Sequence, residues 1–158
     1  MSIISKITLK QLPEKNVLSI RKTINFSREY SDFMSNATND ILALIEEKNI
    51  LPSSGPTVCF HNIELESLDV EIGYEIAISI ESRGDVISHI LPSRIVVTTI
   101  DRGPYEKQDP TLEELMKWIP KNGFVANGGI YYHYLNDENQ PQNEHLTEMY
   151  IPVKVADM

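Results

Sequence analysis

The sequence predicts an α+β fold built from an internally duplicated strand–helix–strand–strand unit. Three observations carry that expectation. Two stretches of helical periodicity are separated by tracts in which apolar and polar residues alternate. The helices stand among runs of strands without a βαβ rhythm, which points to antiparallel sheets. The order of events then repeats after a polar loop near mid-chain, Glu81-Ser82-Arg83-Gly84-Asp85.

The elements follow in order. Ile7 to Leu12 alternates and reads as a short strand. Pro13-Glu14-Lys15-Asn16 supplies turn chemistry, and Val17 to Ile24 resumes as a strand, so the two are expected to form a hairpin. Ser27 is the expected N-cap of a long helix whose apolar stripe is Tyr30, Phe33, Met34, Ala37, Ile41, Leu44 and Ile45. Asn49 to Pro56 ends it. Thr57 to His61 reads as a strand with Val58 and Phe60 inward. Leu68 to Ile80 reads as another, with Val70, Ile72, Tyr74 and Ile76 on one face.

After the mid-chain loop, Leu91-Pro92 echoes Leu12-Pro13, and Ile95 to Ile100 is the next strand. A second helix is expected over Thr111 to Ile119, with Asp109 as N-cap and Pro110 as its first residue. Its stripe is Leu112, Leu115, Met116 and Ile119, and Pro120 stops it. Lys121-Asn122-Gly123-Phe124 with Gly128 then matches Lys48-Asn49-Ile50-Leu51 with Gly55 at one constant offset. Ile130 to Leu135 and His145 to Val153 close the chain as strands. In the last, Met149, Ile151 and Val153 alternate with Glu148, Tyr150 and Pro152, and Glu148 falls opposite Glu71 of the first copy. The expectation is one domain over residues 1–158, with copies over about 1–80 and 86–158. The copies are expected to pack about a pseudo-twofold axis, with a central ligand cleft lined by strands of both.

Composition bounds the function. A formal charge of −9 argues against nucleic acid and anionic membranes as direct partners, because both need clustered Lys and Arg. One cysteine, Cys59, excludes an internal disulfide framework and fits a reducing compartment. No signal-like or bilayer-spanning run appears, so the expected location is the cytoplasm.

The constant offset also assigns side-chain directions. If Val58 and Phe60 face the core, Cys59 and His61 face away, and their counterparts Tyr132 and Tyr134 should too. Tyr132, Tyr134, Glu148 and Tyr150 are then expected on one non-core face, an aromatic surface around a single carboxylate. Desolvation there is expected to raise the Glu148 pKa, and ring faces would attract a cation. Glu148 paired with a base such as Arg94 is the plainer alternative. Glu71 is either a second pocket carboxylate or a hydrogen-bonded structural one. His61, His89, His133 and His145 show no ligand spacing, so no metal is expected. No phosphate loop, dinucleotide fingerprint or nucleophile elbow is present, and Cys59 reads as a small packed side chain.

Several motifs together resemble the GyrI-like small-molecule-binding domains, the fold of the effector-binding half of AraC-type and MerR-type multidrug-responsive regulators. These are Asp101-Arg102-Gly103-Pro104-Tyr105-Glu106, Trp118-Ile119-Pro120-Lys121-Asn122-Gly123 and Tyr134-Leu135-Asn136-Asp137. Thr147-Glu148-Met149-Tyr150-Ile151-Pro152-Val153 and, in the first copy, Asp69-Val70-Glu71-Ile72-Gly73 complete the set. The resemblance implies a duplicated fold whose last-strand glutamate, here Glu148, meets lipophilic, cationic aromatic ligands, with Tyr105, Trp118 and Tyr134 on motif aromatics. Core packing is the plainer reading of Trp118, and turn capping that of Tyr105. Tyr132, Gly128-Gly129 and Glu75-Ile76 depart from the family pattern. Small-molecule sensing, sequestration or xenobiotic protection is the leading expectation. The alternatives are a hydrolase of cyclopropanoid or other strained genotoxins acting through Glu148, and a DNA gyrase modulator. No cofactor is expected; haem is considered only because a haem-associated family shares the architecture. Lacking a helix-turn-helix segment, the chain is expected to act by sequestration or through a protein partner, gyrase or a regulator.

Overall fold

The computed structural model describes residues 3–136 and 139–157; Asp137 of the tyrosine-leucine motif lies outside them. The elements are β1 (Thr8–Leu12), β2 (Lys15–Ile24), α1 (Phe26–Glu47), β3 (Thr57–Phe60), β4 (Leu68–Ile76), β5 (Ile87–Leu91), β6 (Arg94–Arg102), α2 (Asp109–Lys121), β7 (Phe124–Ala126), β8 (Ile130–Tyr134) and β9 (Leu146–Val155). They form two compact units, Pro13–Pro92 and Met1–Leu12 with Ser93–Met158. The α+β class and antiparallel pairing are as the sequence predicts.

In the Pro13–Pro92 unit the strand order is β3-β4-β2-β5. One face of β4 buries Leu68, Val70, Ile72, Tyr74 and Ile76. That face joins Leu18, Ile20 and Ile24 of β2 in packing with Phe33, Ala37, Ile41, Leu44 and Ile45 of α1. A 22-residue helix of this kind is stabilised mainly by its buried stripe. Its N-cap is Asn25 rather than Ser27: the Asn25 side chain accepts from the Arg28 N–H, and Glu29 reaches back to the Asn25 N–H at 2.8 Å. Asn49, at φ +56°, follows the helix in the left-handed conformation.

In the other unit the order is β1-β6-β9-β8, with β7 also on β9. Val97 and Thr99 of β6 share a buried face with Thr147, Met149 and Ile151 of β9. The helix α2 covers that face with Thr111, Leu115 and Ile119. Two polar bonds pin it there: Thr111 Oγ1 donates to Asp101 at 2.6 Å, and Gln108 Nε2 donates to Thr147 at 2.9 Å. The cap residue is Gln108, not Asp109, and Pro120 is accommodated in the last turn instead of preceding the stop. Gly123, at φ +81°, then turns the chain away.

The β1–β2 hairpin does not form. β1 pairs with β6 along its whole length, from Thr8 opposite Thr98 to Leu12 opposite Arg94. β2 has no free edge along Asn16 to Ser19, which β5 holds on one side and β4 on the other. β5, which the sequence does not mark as a strand, takes the place expected for β1. No helix among the described residues is long and apolar enough to cross a membrane.

Candidate functional site

The site is built on β9. Antiparallel pairing sets Glu148 opposite His133 of β8 and Ile100 of β6, and Tyr150 opposite Tyr131 and Thr98. Directly paired residues point to the same side, so Glu148, Tyr150, Tyr131, His133, Thr98 and Ile100 share the sheet face away from α2.

Two of the expected residues are on the other face. Tyr132 pairs with Met149 and is buried, and Tyr134 pairs with Thr147. The constant offset between the copies fails after Gly128: Glu71 faces Cys59, but Glu148 faces His133, one residue further on than the offset assigns. A one-residue shift in a strand exchanges its two faces, so Tyr131 and His133 replace Tyr132 and Tyr134 beside Glu148. Gly128 lies where this occurs. A Cβ there would sit 3.0 Å from Pro152 Cγ, so the loop reaches β9 only without a side chain.

The remaining expected residues are placed elsewhere. Tyr105 packs on Tyr134 at 4.8 Å between ring centroids and stacks on His145 at 4.7 Å. Trp118 stacks on Phe124 at 6.0 Å, closing α2 against β7 as a packing residue. Glu71 belongs to the other unit and has its own partners there. Ser19 Oγ lies 2.5 Å from Oε2, His61 Nε2 lies 2.8 Å from Oε1, and His89 Nε2 lies 3.5 Å from Oε2. Burial opposes ionisation of Glu71, but the bonds from His61 and Ser19 and the nearby His89 outweigh it, so its pKa lies below the usual carboxylate value.

Around Glu148, Thr98 Oγ1 donates to Oε2 at 2.8 Å and Lys10 Nζ reaches the same oxygen at 3.2 Å. His133 Nδ1 approaches Oε1 at 3.8 Å. His133, against the opposing effect of burial, and then Thr98 and Lys10 hold the Glu148 pKa at about 2, from an ordinary 4.5. The expected rise is therefore reversed: donors and a cation outweigh desolvation. At neutral pH the side chain is a carboxylate with 14% of its surface exposed.

Arg94 does not pair with Glu148. Its guanidinium lies over the Tyr131 ring at 4.7 Å and the Tyr150 ring at 5.6 Å, and Nη2 donates to the Tyr150 hydroxyl at 3.2 Å. The two rings stack at 4.9 Å, within 6° of parallel. The face thus offers a fixed carboxylate and an aromatic platform, and both hold cations from the chain itself. Lys10, Thr98, Tyr131 and His133 are the residues that sequence reasoning did not reach. Their only sequence signal is strand alternation, which locates them once the pairing register is known. Among the described residues no three His, Cys, Asp or Glu side chains converge as metal ligands.

Solved structures with the same fold include the C-terminal domain of EcmrR. It aligns with 98% of this chain and 100% of its own at TM-score 0.80 and 21% identity. In EcmrR complexed with DNA the likeness covers 96% of this chain at 22% identity and TM-score 0.80, but this chain spans only 58% of that one. SAV2435 bound to tetraphenylphosphonium aligns over 95% of this chain and 94% of its own, with TM-score 0.56 and 17% identity. A hydrolase encoded by lin2189 of Listeria innocua covers 94% of this chain and 92% of its own, with TM-score 0.70 and 14% identity. Among curated proteins no sequence matches. The model of the GyrI-like small molecule binding domain matches residues 5–154, and the chain belongs to that family.

Proposed function

We propose that the chain binds a lipophilic organic cation with aromatic character on the Glu148 face of β9. The observation that carries this reading is the shielded Glu148 carboxylate, ionised at neutral pH, beside the stacked Tyr131 and Tyr150 rings, a face that already holds Lys10 and Arg94. A carboxylate that is mostly shielded from water attracts a cation more strongly than an exposed one does. A ring face adds about 0.5–2 kcal/mol per cation contact, depending on desolvation. The tetraphenylphosphonium held by SAV2435 is a ligand of the same chemistry.

Binding without turnover is the favoured form of this function. General-base hydrolysis would need Glu148 to accept a proton from water, and a carboxylate held at about 2 is a poor base at neutral pH. Sequestration of the ligand, or sensing in concert with a protein partner, follows from binding alone.

Titration calorimetry with tetraphenylphosphonium tests the proposal. Wild type should bind, and Glu148→Gln should weaken binding by at least about tenfold, the equivalent of about 1.4 kcal/mol. Equal affinity of the two proteins would remove Glu148 from the site.

A further inference from the structure

The two resident cations of the Glu148 face differ in a way that bears on ligand choice. Arg94 is fixed: its guanidinium lies over two rings and bonds the Tyr150 hydroxyl, and its Nε is buried. Lys10 is not. It comes from β1, whose first four residues are exposed, and its side chain is 49% exposed while the carboxylate it covers is 14% exposed. Its contact with Glu148 at 3.2 Å is longer than that of the Thr98 hydroxyl to the same oxygen.

We propose that Lys10 is the specificity-determining residue of the Glu148 site, a tethered competitor that admits weakly hydrated organic cations and excludes hydrated amines. The proposal rests on the cation-binding reading above. With Glu148 charged and Lys10 in place, ligand binding is an exchange of one cation for another, so the solvation of the two cations decides it. A displaced lysine ammonium regains strong hydration in water. A free primary amine must give up as much hydration as Lys10 regains, so the exchange returns little. The amine also competes with a group on the same chain, whose effective concentration is on the order of millimolar. A delocalised, bulky cation loses less hydration on entry. It also buries apolar surface against Ile100, Tyr131 and its neighbours.

The test compares tetraphenylphosphonium and 4-phenylbutylamine on wild type, Lys10→Met, Lys10→Arg and the double variant Lys10→Met/Glu148→Gln. Methionine keeps an apolar stem of similar length without charge, and thermal unfolding of each variant reports whether it is folded. The expected result is that Lys10→Met binds tetraphenylphosphonium about tenfold or more tightly than wild type and gains measurable binding of the amine. Lys10→Arg, still cationic, should keep discriminating against the amine. Unchanged or weakened tetraphenylphosphonium binding by Lys10→Met would overturn the role of Lys10. If that happened while Glu148→Gln still weakened tetraphenylphosphonium binding about tenfold, the role of Lys10 would fall and the cation site would stand. If the double variant bound as tightly as Lys10→Met, Glu148 would not be the anchor, and the reading beneath the proposal would fail. Absence of tetraphenylphosphonium binding by every form would overturn both.

Discussion

Glu71 and Glu148 occupy matching positions in the two units and are held in different ways. Each lies on the sheet face away from its helix, and each accepts from a hydroxyl on the next strand, Ser19 on β2 or Thr98 on β6. The strand beyond supplies a base at the same register: His89 opposite Val17 in one unit, Lys10 opposite Val96 in the other. Glu71 is clasped at 2.5 and 2.8 Å by groups that are themselves largely buried, Ser19 and His61. Glu148 has one bond of that quality and an exposed lysine. One backbone arrangement thus supports a closed polar knot in one place and an exchangeable ion pair in the other. On the binding proposal above, partner exposure, more than the carboxylate itself, is what sets the ligand site apart.

Three experiments would break or sharpen that contrast. The largest expected effect is on stability. Glu71→Ala takes the carboxylate from His61 and leaves Ser19 with His89 at 2.9 Å, and an unsatisfied buried group costs about 1–3 kcal/mol. We expect a loss of about 3 kcal/mol in urea unfolding, against about 2 kcal/mol for Glu148→Ala, where the buried Thr98 loses its acceptor but Lys10 can turn to water. The reverse order would erase the distinction.

The pH dependence comes next. The folded-state pKa of Glu148, about 2, lies below its ordinary 4.5. Its stabilising contribution is therefore complete above about pH 4.5 and is lost as pH falls toward 2. The stability difference between wild type and Glu148→Gln, followed by thermal unfolding, should shrink across that window and stay level from pH 5 to 8. A difference that grew on acidification would mean that the carboxylate is not charged in the folded protein.

The smallest effect concerns the hydroxyls. Thr98→Val removes one charge-assisted bond to Glu148 and should weaken tetraphenylphosphonium binding about threefold to tenfold, a fraction of the roughly 1.5–3 kcal/mol that a bond to a charged group contributes. Ser19→Ala, on the Glu71 side, should leave ligand affinity within twofold while lowering the melting temperature. Equal effects of both on affinity would show that the Glu71 cluster also contributes to binding.

Much of the fold is legible from local pattern, and much of the site is not. Alternation placed Met149, Ile151 and Val153 on one face of β9 and Glu148 on the other, as the structure has them. It placed Val70, Ile72, Tyr74 and Ile76 equally well. The helix stripes held at Phe33, Ala37, Ile41, Leu44 and Ile45 and at Leu115 and Ile119, because a 3.6-residue period survives errors of one or two positions at the ends. In α2, however, Met116 is exposed and Thr111 is buried in its stead. The strand β8 has no such tolerance, and one residue more or less before it exchanged Tyr132 for His133 beside Glu148. The partners of Glu148 are harder still. Lys10 is 138 positions away in sequence, and its contact depends on β1 leaving β2 for β6. Nothing local to Lys10 encodes that choice; it follows from β5 filling the edge of β2. The tyrosines were legible as a group, but their separation into a Tyr131–Tyr150 stack under Arg94 and a Tyr105–Tyr134–His145 stack needed the register.

The placement of β1 has a consequence for the order in which the protein assembles. Its pairing with β6 spans a loop from Leu12 to Arg94 that contains the whole of the other unit. The inserted unit can form from contacts within its own contiguous segment, whereas β1 must wait for a strand that emerges much later from the ribosome. Once Pro13–Pro92 is folded, the ends it presents to β1 and β6 no longer wander as those of a free chain of that length would, and the entropic penalty of closure falls. Lys10 is thus delivered by a strand synthesised before the inserted unit, but set in place after it.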